Sequence, residues 1–269
     1  HIAAKAEDVG VAKARLGVVP TLLLAILAGA FVSLGAVFST VVLTDGGHSG
    51  LVRAAAGVAF SLGLVLVVIA GAELFTGNNL LVMAFASGKI SLFSLLRNWA
   101  LVYIGNFVGA IATALGMYLA GFHTMLGGEI AKTMLNIAAA KCTLSWDVAF
   151  FRGVYCNALV CLAVWLCMSC RTSGEKILAI VLPVAAFVAA GFEHSIANMF
   201  FLPSAIFVQE FAPAAWLHEH SLDAGIVPTI TVAKCLLANL LPVTLGNILG
   251  GGVLVGGIYW TIYCRKQPA

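Results

Sequence analysis

The chain has 269 residues, of which 62% are hydrophobic and 9% charged, and its formal net charge is +3. A soluble domain carries about 25% charged residues, so the composition excludes an ordinary soluble fold and predicts an all-α protein surrounded by membrane lipid. The small, scattered positive charge gives no basis for a nucleic-acid partner, and seven cysteines, an odd number, make no disulfide framework.

Residues 1–16, with Lys5, Glu7, Asp8, Lys13 and Arg15, predict an N-terminal surface helix on the cytoplasmic side. Residues 17–265 form the transmembrane domain. A helical crossing takes about 20 apolar residues. Such stretches fall near 17–43, 54–87, 99–122, 148–170, 177–209 and 229–264, which makes six crossings. The second and fifth are too long for straight spans, and these two carry polar motifs; a break in the middle of each explains both features. The fourth holds Cys156, Cys161, Cys167 and Cys170 as small apolar residues. Cys167-Met168-Ser169-Cys170 has the spacing of a redox motif, but it closes an apolar segment instead of opening a helix after a strand. Between the fifth and sixth stretches, His218-Glu219-His220 with Glu210 and Asp223 invites a metal reading. No further Cys or His supports one, so a solvated loop is expected there, with neither metal nor cofactor.

The polar motifs repeat. Gly71-Ala72-Glu73-Leu74-Phe75-Thr76-Gly77-Asn78-Asn79 matches Gly191-Phe192-Glu193-His194-Ser195-Ile196-Ala197-Asn198-Met199, aligning Gly71 with Gly191, Glu73 with Glu193 and Asn78 with Asn198. Gly105-Asn106-Phe107-Val108-Gly109 in the third stretch echoes Gly246-Asn247-Ile248-Leu249-Gly250 in the sixth. Ala30-Phe31-Val32-Ser33-Leu34 more loosely tracks Ala158-Leu159-Val160-Cys161-Leu162. Three echoes in one order predict two halves of three spans, and an odd number of spans per half inverts the second half against the first. Counting cations in the connections orients the chain. With the N-terminus inside, nine lie inside (Lys5, Lys13, Arg15, Lys89, Arg97, Arg171, Lys176, Arg265 and Lys266) and five outside (Arg53, Lys132, Lys141, Arg152 and Lys234), placing both termini in the cytoplasm.

Carboxylates, amides and glycines at membrane depth are expensive unless the backbone leaves helical geometry and lines a polar path. Duplicated breaks of this kind mark a transporter or channel. Thr76, Gly77, Asn78 and Asn79 form a polar island where the helix should open into a loop, presenting amides and a hydroxyl to a small anion; the alternative is a kinked helix whose polar groups satisfy one another. His194 lies in the matching break and is the strong titrating group near neutral pH at that depth; the alternative is a satisfied buried histidine. Glu73 and Glu193 are expected to hold the broken backbone by accepting N–H bonds, not to meet the solute. A membrane enzyme would need haem-ligating histidine pairs or cluster-ligating cysteines, and His194 has no such partner.

On these residues the sequence resembles the formate/nitrite transporter family of bacteria and archaea over about 17–265. Two further matching motifs are Cys156-Asn157-Ala158-Leu159-Val160-Cys161-Leu162-Ala163-Val164-Trp165 and Pro242-Val243-Thr244-Leu245-Gly246-Asn247. The resemblance implies an aquaporin-like protomer in a homopentamer of a prokaryotic plasma (inner) membrane, with one pore per protomer. It implies a pathway bearing Thr76, His194, Asn157, Asn247 and an anion-attracting Lys141, with Asn78 and Asn198 supporting the loops beside the two glutamates. Apolar constrictions would come from Leu64, Leu74, Phe75, Val160 and Phe187. The implied solute is a small monovalent anion, formate ahead of nitrite, with lactate, acetate or hydrosulfide behind, and protons as a second partner. A neutral-solute channel of aquaporin type is the more distant reading, and its Asn-Pro-Ala signatures are absent.

Overall fold

Helix follows helix along the described residues, 2–46, 49–220 and 229–265 of a computed structural model. Helix α1 (Ile2–Arg15) lies against the membrane domain through Ala3, Ala6, Gly10 and Ala14. It is followed by α2 (Val18–Gly46) and α3 (Gly50–Ala70). Ser49 begins α3 by accepting the Val52 N–H, which places its start a turn before the expected 54. α3 stops at Gly71, whose φ of 81° is a left-handed conformation that glycine tolerates. The chain runs extended to Leu74 and turns helical again as α4 (Phe75–Asn78), a tight turn at Asn79–Leu81 and α5 (Val82–Ala86).

Helix α6 (Leu92–Leu119) begins at the Ser91 cap, so Arg97, read from the sequence as part of a connection, lies inside the helix. Tight turns over Phe122–Gly128 lead to α7 (Glu129–Cys142), a helix where the sequence suggested only a loop. Then come α8 (Trp146–Ser169) and α9 (Ser173–Ala189), the latter opened by a reciprocal cap between Thr172 and Glu175. Gly191, with φ of 71°, ends this segment as Gly71 ends α3. Helix α10 (Ser195–Phe211) restarts behind His194, whose ring caps it. The short α11 (Ala214–Glu219) carries His218 and Glu219, so these residues are helical and not a loop. His220 Nδ1 lies 2.8 Å from the Trp216 carbonyl oxygen. The final run, Lys234–Tyr263, contains α12 (Leu241–Ile248) and α13 (Ile258–Tyr263), with π-helical turns over Lys234–Leu240 and Leu249–Gly257. Asp223 and Lys266, used in the sequence reading, lie outside the described residues.

Five of these helices are long and apolar enough to cross a membrane: α2, α3, α6, α8 and Lys234–Tyr263. Close backbone approach joins them in pairs. A Cβ added at Gly109 would stand 2.0 Å from the Ile26 carbonyl oxygen, and one at Gly250 would stand 2.0 Å from the Val154 carbonyl oxygen. These two glycines occupy equivalent places in the repeated Gly-Asn motifs, so the same small-residue contact packs α6 on α2 and the last helix on α8. That packing brings the two backbone breaks together in the interior.

Candidate permeation pathway

The breaks precede the positions expected from the sequence. Thr76 and Ser195 are already helical, and the extended backbone belongs to Leu74 and His194. The left-handed glycines set the position, since Gly71 and Gly191 end their helices three residues earlier. The residues at 76–79 and 195–197 are helical, with Thr76, Asn78 and the Asn79 Oδ1 atom partnered by neighbouring side chains, while Asn79 Nδ2 and Ser195 Oγ are buried without a partner among the described residues.

Two buried asparagines hold the breaks. Asn106 on α6 accepts the Phe75 N–H at 2.9 Å and donates to the carbonyls of Ala25 at 2.7 Å and Glu73 at 2.9 Å. Asn247 on α12 accepts the Ser195 N–H at 2.9 Å and donates to the carbonyls of Gly153 at 2.8 Å and Glu193 at 3.0 Å. Each side chain thus joins both ends of an extended stretch to a neighbouring helix. Asn157 ties the halves to each other, donating to the carbonyls of Thr76 at 3.2 Å and Asn247 at 2.7 Å and to Asn79 Oδ1 at 2.7 Å. Asn157 and Asn247 are fully buried, and their amide N–H groups are engaged with protein; they form the wall of the site.

The glutamates act differently from expectation. Glu73 accepts from the Asn78 amide at 2.6 Å and pairs with Lys13 at 3.0 Å. Glu193 accepts from the Asn198 amide at 2.7 Å and the Asn239 amide at 3.3 Å, and pairs with Lys141 at 2.9 Å. The asparagines hold the backbone, and the carboxylates instead gather an amide and an ammonium. A buried carboxylate needs that compensation, because stripping its hydration costs several kcal/mol (~20 kcal/mol in the idealised limit). The clusters correspond member for member: Lys13, Glu73, Asn78 and Asn98 against Lys141, Glu193, Asn198 and Asn239.

At the meeting point of the breaks, Thr76 Oγ1 lies 3.1 Å from His194 Nε2. The other ring nitrogen, Nδ1, accepts the Ala197 N–H at 3.1 Å. A neutral imidazole accepting at Nδ1 carries its hydrogen on Nε2, so His194 donates to Thr76 and leaves the threonine hydroxyl hydrogen free to turn. Phe187 stacks on the His194 ring with centroids 6.0 Å apart.

Two cavities approach this contact from opposite ends of α3. One, of about 300 Å³, is lined by Lys13, Leu64, Glu73, Leu74 and Asn78 and lies beside α1. The other, of about 410 Å³, is lined by Arg53, Phe60, Lys141, Arg152, Phe187 and His194. Of the expected constriction residues, Leu64 and Leu74 therefore face the first cavity and Phe187 the second. Phe75 and Val160 line neither cavity and are buried, Phe75 edge-on to Tyr103 at 4.9 Å.

Lys13, Asn98, Asn106 and Asn239 belong to the site although they do not stand out in the sequence as site residues. Lys13 lies in a stretch patterned as a surface helix, yet its ammonium reaches Glu73. A signal for the asparagines was present: Asn98 stands as far before Asn106 as Asn239 stands before Asn247.

The model of the family described as formate/nitrite transporter matches residues 1–261 of this chain. Formate channel FocA of Escherichia coli strain K12 is 43% identical over 265 residues, covering 97% of this chain and 93% of that protein. A solved structure, "Pentameric formate channel with formate bound", superposes with a TM-score of 0.85 at 44% identity over 92% of this chain and 98% of that one. A second, "FNT family ion channel", superposes with a TM-score of 0.83 at 30% identity over 99% of both chains.

Proposed function

Because the chain belongs to the formate/nitrite transporter family, we propose that it forms a passive or proton-coupled membrane channel for small monovalent anions, formate first, in which His194 exchanges a proton with the solute. The contact between Thr76 and His194, at the only described place where the two backbone breaks meet, carries this reading. The relatives named as formate channels and the neighbour solved with formate bound favour formate over nitrite. The pentameric neighbour supports a homopentamer, and the two cavities within a single chain support a pore in each protomer.

The architecture that fits is six crossings in an inverted three-plus-three repeat of aquaporin-like form, with α3 to α5 as the second and α9 to α10 as the fifth. The one-to-one correspondence of the two Lys-Glu-Asn-Asn clusters supports that repeat. Both termini lie in the cytoplasm of a prokaryotic cell, so the Lys13 cavity faces inward and the Lys141 cavity outward.

A bare formate ion does not cheaply cross the apolar flanks of the site, since desolvating a charge costs more than a few polar contacts return. Entering a less polar space favours the neutral acid, and the site supplies the proton. A second proton on His194 would place a hydrogen on Nδ1, facing the Ala197 N–H that Nδ1 now accepts. Geometry therefore disfavours the charged ring, which yields its proton to the anion readily. The proton leaves from Nε2, the nitrogen beside the Thr76 hydroxyl. Formic acid then passes, and the neutral ring keeps its remaining hydrogen on Nδ1 until proton exchange with water restores the Nε2–H form that accepts the Ala197 N–H.

Proteoliposome flux of formate, nitrite, water and glycerol, with the pH varied separately on each side, tests the reading. Formate flux that rises with an inward proton gradient supports it. Glycerol or water flux without formate flux would replace it with a neutral-solute channel.

A further inference from the structure

Cys142 and Cys235 lie far apart in the sequence and play no part in the pathway described above. Cys142 is the last residue of α7, and Cys235 is in the first π-helical turn of the final run. Their sulfurs stand 3.4 Å apart, both are free thiols, and both are buried. The other described cysteines make no sulfur–sulfur contact, so this is a specific pair and not one more small apolar filler.

The pair is joined directly to the Lys141 cluster. Lys141 precedes Cys142 in the chain, and its carbonyl oxygen accepts from the Asn239 amide at 3.2 Å. Asn239, one turn beyond Cys235, also contacts Asn198 at 2.7 Å and Glu193 at 3.3 Å. The thiols therefore sit at the joint between the two elements that hold the Lys141–Glu193 ion pair.

We propose that Cys142 and Cys235 form a reversible disulfide that makes the Lys141 cavity sensitive to redox conditions. The reaction is thiol–disulfide exchange with an external disulfide. One thiolate attacks a sulfur of that disulfide and expels one thiol. The second cysteine then attacks the mixed disulfide and expels the other. The two cysteines lose two electrons and two protons, and the external disulfide becomes two thiols. A disulfide bond is about 2.0 Å long, so closure draws the two sulfurs together by about 1.4 Å. It pulls the turn bearing Asn239 toward α7 and disturbs the contacts of Glu193 with Asn239 and Lys141. On the orientation proposed above, on which the physiological side of the inference rests, this joint faces outward, where disulfides form and persist.

The experiment treats right-side-out and inverted vesicles containing the full chain with oxidised glutathione. Free thiols are then alkylated under denaturing conditions and the digested peptides identified by mass spectrometry. The expected result is a peptide pair linked through Cys142 and Cys235, formed from the outer face, reversed by dithiothreitol and missing in Cys142→Val. Formate flux should fall about fivefold on oxidation, the low end of coupling between distinct sites, and should not respond in the Cys142→Val/Cys235→Val double variant. Copper phenanthroline, with oxygen as electron acceptor, repeats the trial with an oxidant suited to apolar surroundings. Full alkylation of both cysteines after both oxidants overturns the proposal, and so does a link that leaves flux unchanged. A link formed only from the inner face retains the disulfide and overturns the orientation instead. Because the linked peptide is read without transport, failure of the formate assignment leaves this test intact.

Discussion

His194 Nε2 and Thr76 Oγ1 stand 3.1 Å apart across 118 residues of sequence, and this contact joins the first turn of α4 to the extended residue before α10, two breaks that are each held by the same kind of asparagine clamp. The contact gives the threonine a definite role. Its oxygen accepts from the ring, so its hydrogen is available to a solute. Thr76→Val should retain fold and burial but lower formate flux at every pH, whereas Thr76→Ser should restore most of it. Stopped-flow flux in proteoliposomes separates the two, and equal flux in both variants would assign Thr76 to packing alone.

The histidine itself predicts a different signature. His194→Phe should abolish the pH dependence of flux and any proton-coupled uptake, and His194→Asn should leave a passive, pH-independent pathway. Formate flux recorded across pH 5 to 8, about the range in which an unperturbed histidine titrates, is the measurement. Normal pH dependence in both variants would return His194 to a capping role for α10.

Lys141 and Glu193 form a pair whose side chains are 14% and 5% exposed, so the lysine is not a free surface cation. Lys141→Ala leaves a lone carboxylate beside the cavity, which repels anions. Uptake at low formate should fall about tenfold, within the range seen when a charged cleft loses its favourable field. Because the pair is largely enclosed, added salt should change the loss only slightly. The double variant Lys141→Ala/Glu193→Gln should recover part of the uptake, which a role for the lysine charge alone does not predict. Lys13→Ala should act in the same manner on efflux, through Glu73.

Asn106 and Asn247 each satisfy buried backbone on two elements at once. Asn106→Leu strands the Phe75 N–H and two carbonyls, and a stranded buried polar group costs about 1–3 kcal/mol. Both Asn106→Leu and Asn247→Leu should therefore lower the melting temperature of the detergent-solubilised protein by several degrees and reduce flux. Unchanged melting in either would show that the break holds without its clamp.

Much of this was legible in the sequence because membrane burial makes polar residues conspicuous. Glu73, Asn78, Glu193, His194 and Asn198 stand out against apolar neighbours, and their duplication located both breaks to within a few residues. The shift of each break toward its glycine was less legible, because backbone conformation at Gly71 and Gly191 competes with the polarity of residues 76–79 and 195–197, and the glycines prevail. Lys13 escaped for a different reason. Local pattern assigned it to a surface helix, and only tertiary folding brings that helix over the mouth of a cavity. α7 escaped because its mixed polarity suits a surface helix and a connection equally.

The docking of α1 offers a prediction about pH. Glu7 receives hydrogen bonds from Lys89 Nζ at 2.7 Å and from the Ser87 hydroxyl. Burial by itself would raise the Glu7 carboxyl, but the bonds from Lys89 and Ser87 outweigh it and hold the group below its ordinary value of 4.5. The hydrogen bond to Glu7 chiefly holds the Lys89 ammonium above its ordinary 10.5. The signs follow by linkage. A depressed carboxyl contributes stability that is present above its unfolded value and lost as pH falls through the folded one. A raised ammonium contributes stability that is present below its unfolded value and lost as pH rises through the folded one. The strap is therefore fully formed between about pH 5 and 10 and loosens only in stronger acid or base. Amide hydrogen exchange over residues 2–15 should stay slow at pH 7 and, corrected for intrinsic rate, accelerate below about pH 4. Glu7→Gln should bring the faster exchange to pH 7 while leaving exchange in α8 unchanged. Equal protection of residues 2–15 in the variant and the parent at pH 7 would assign the docking of α1 to its alanine face against Met83 and Trp165 instead.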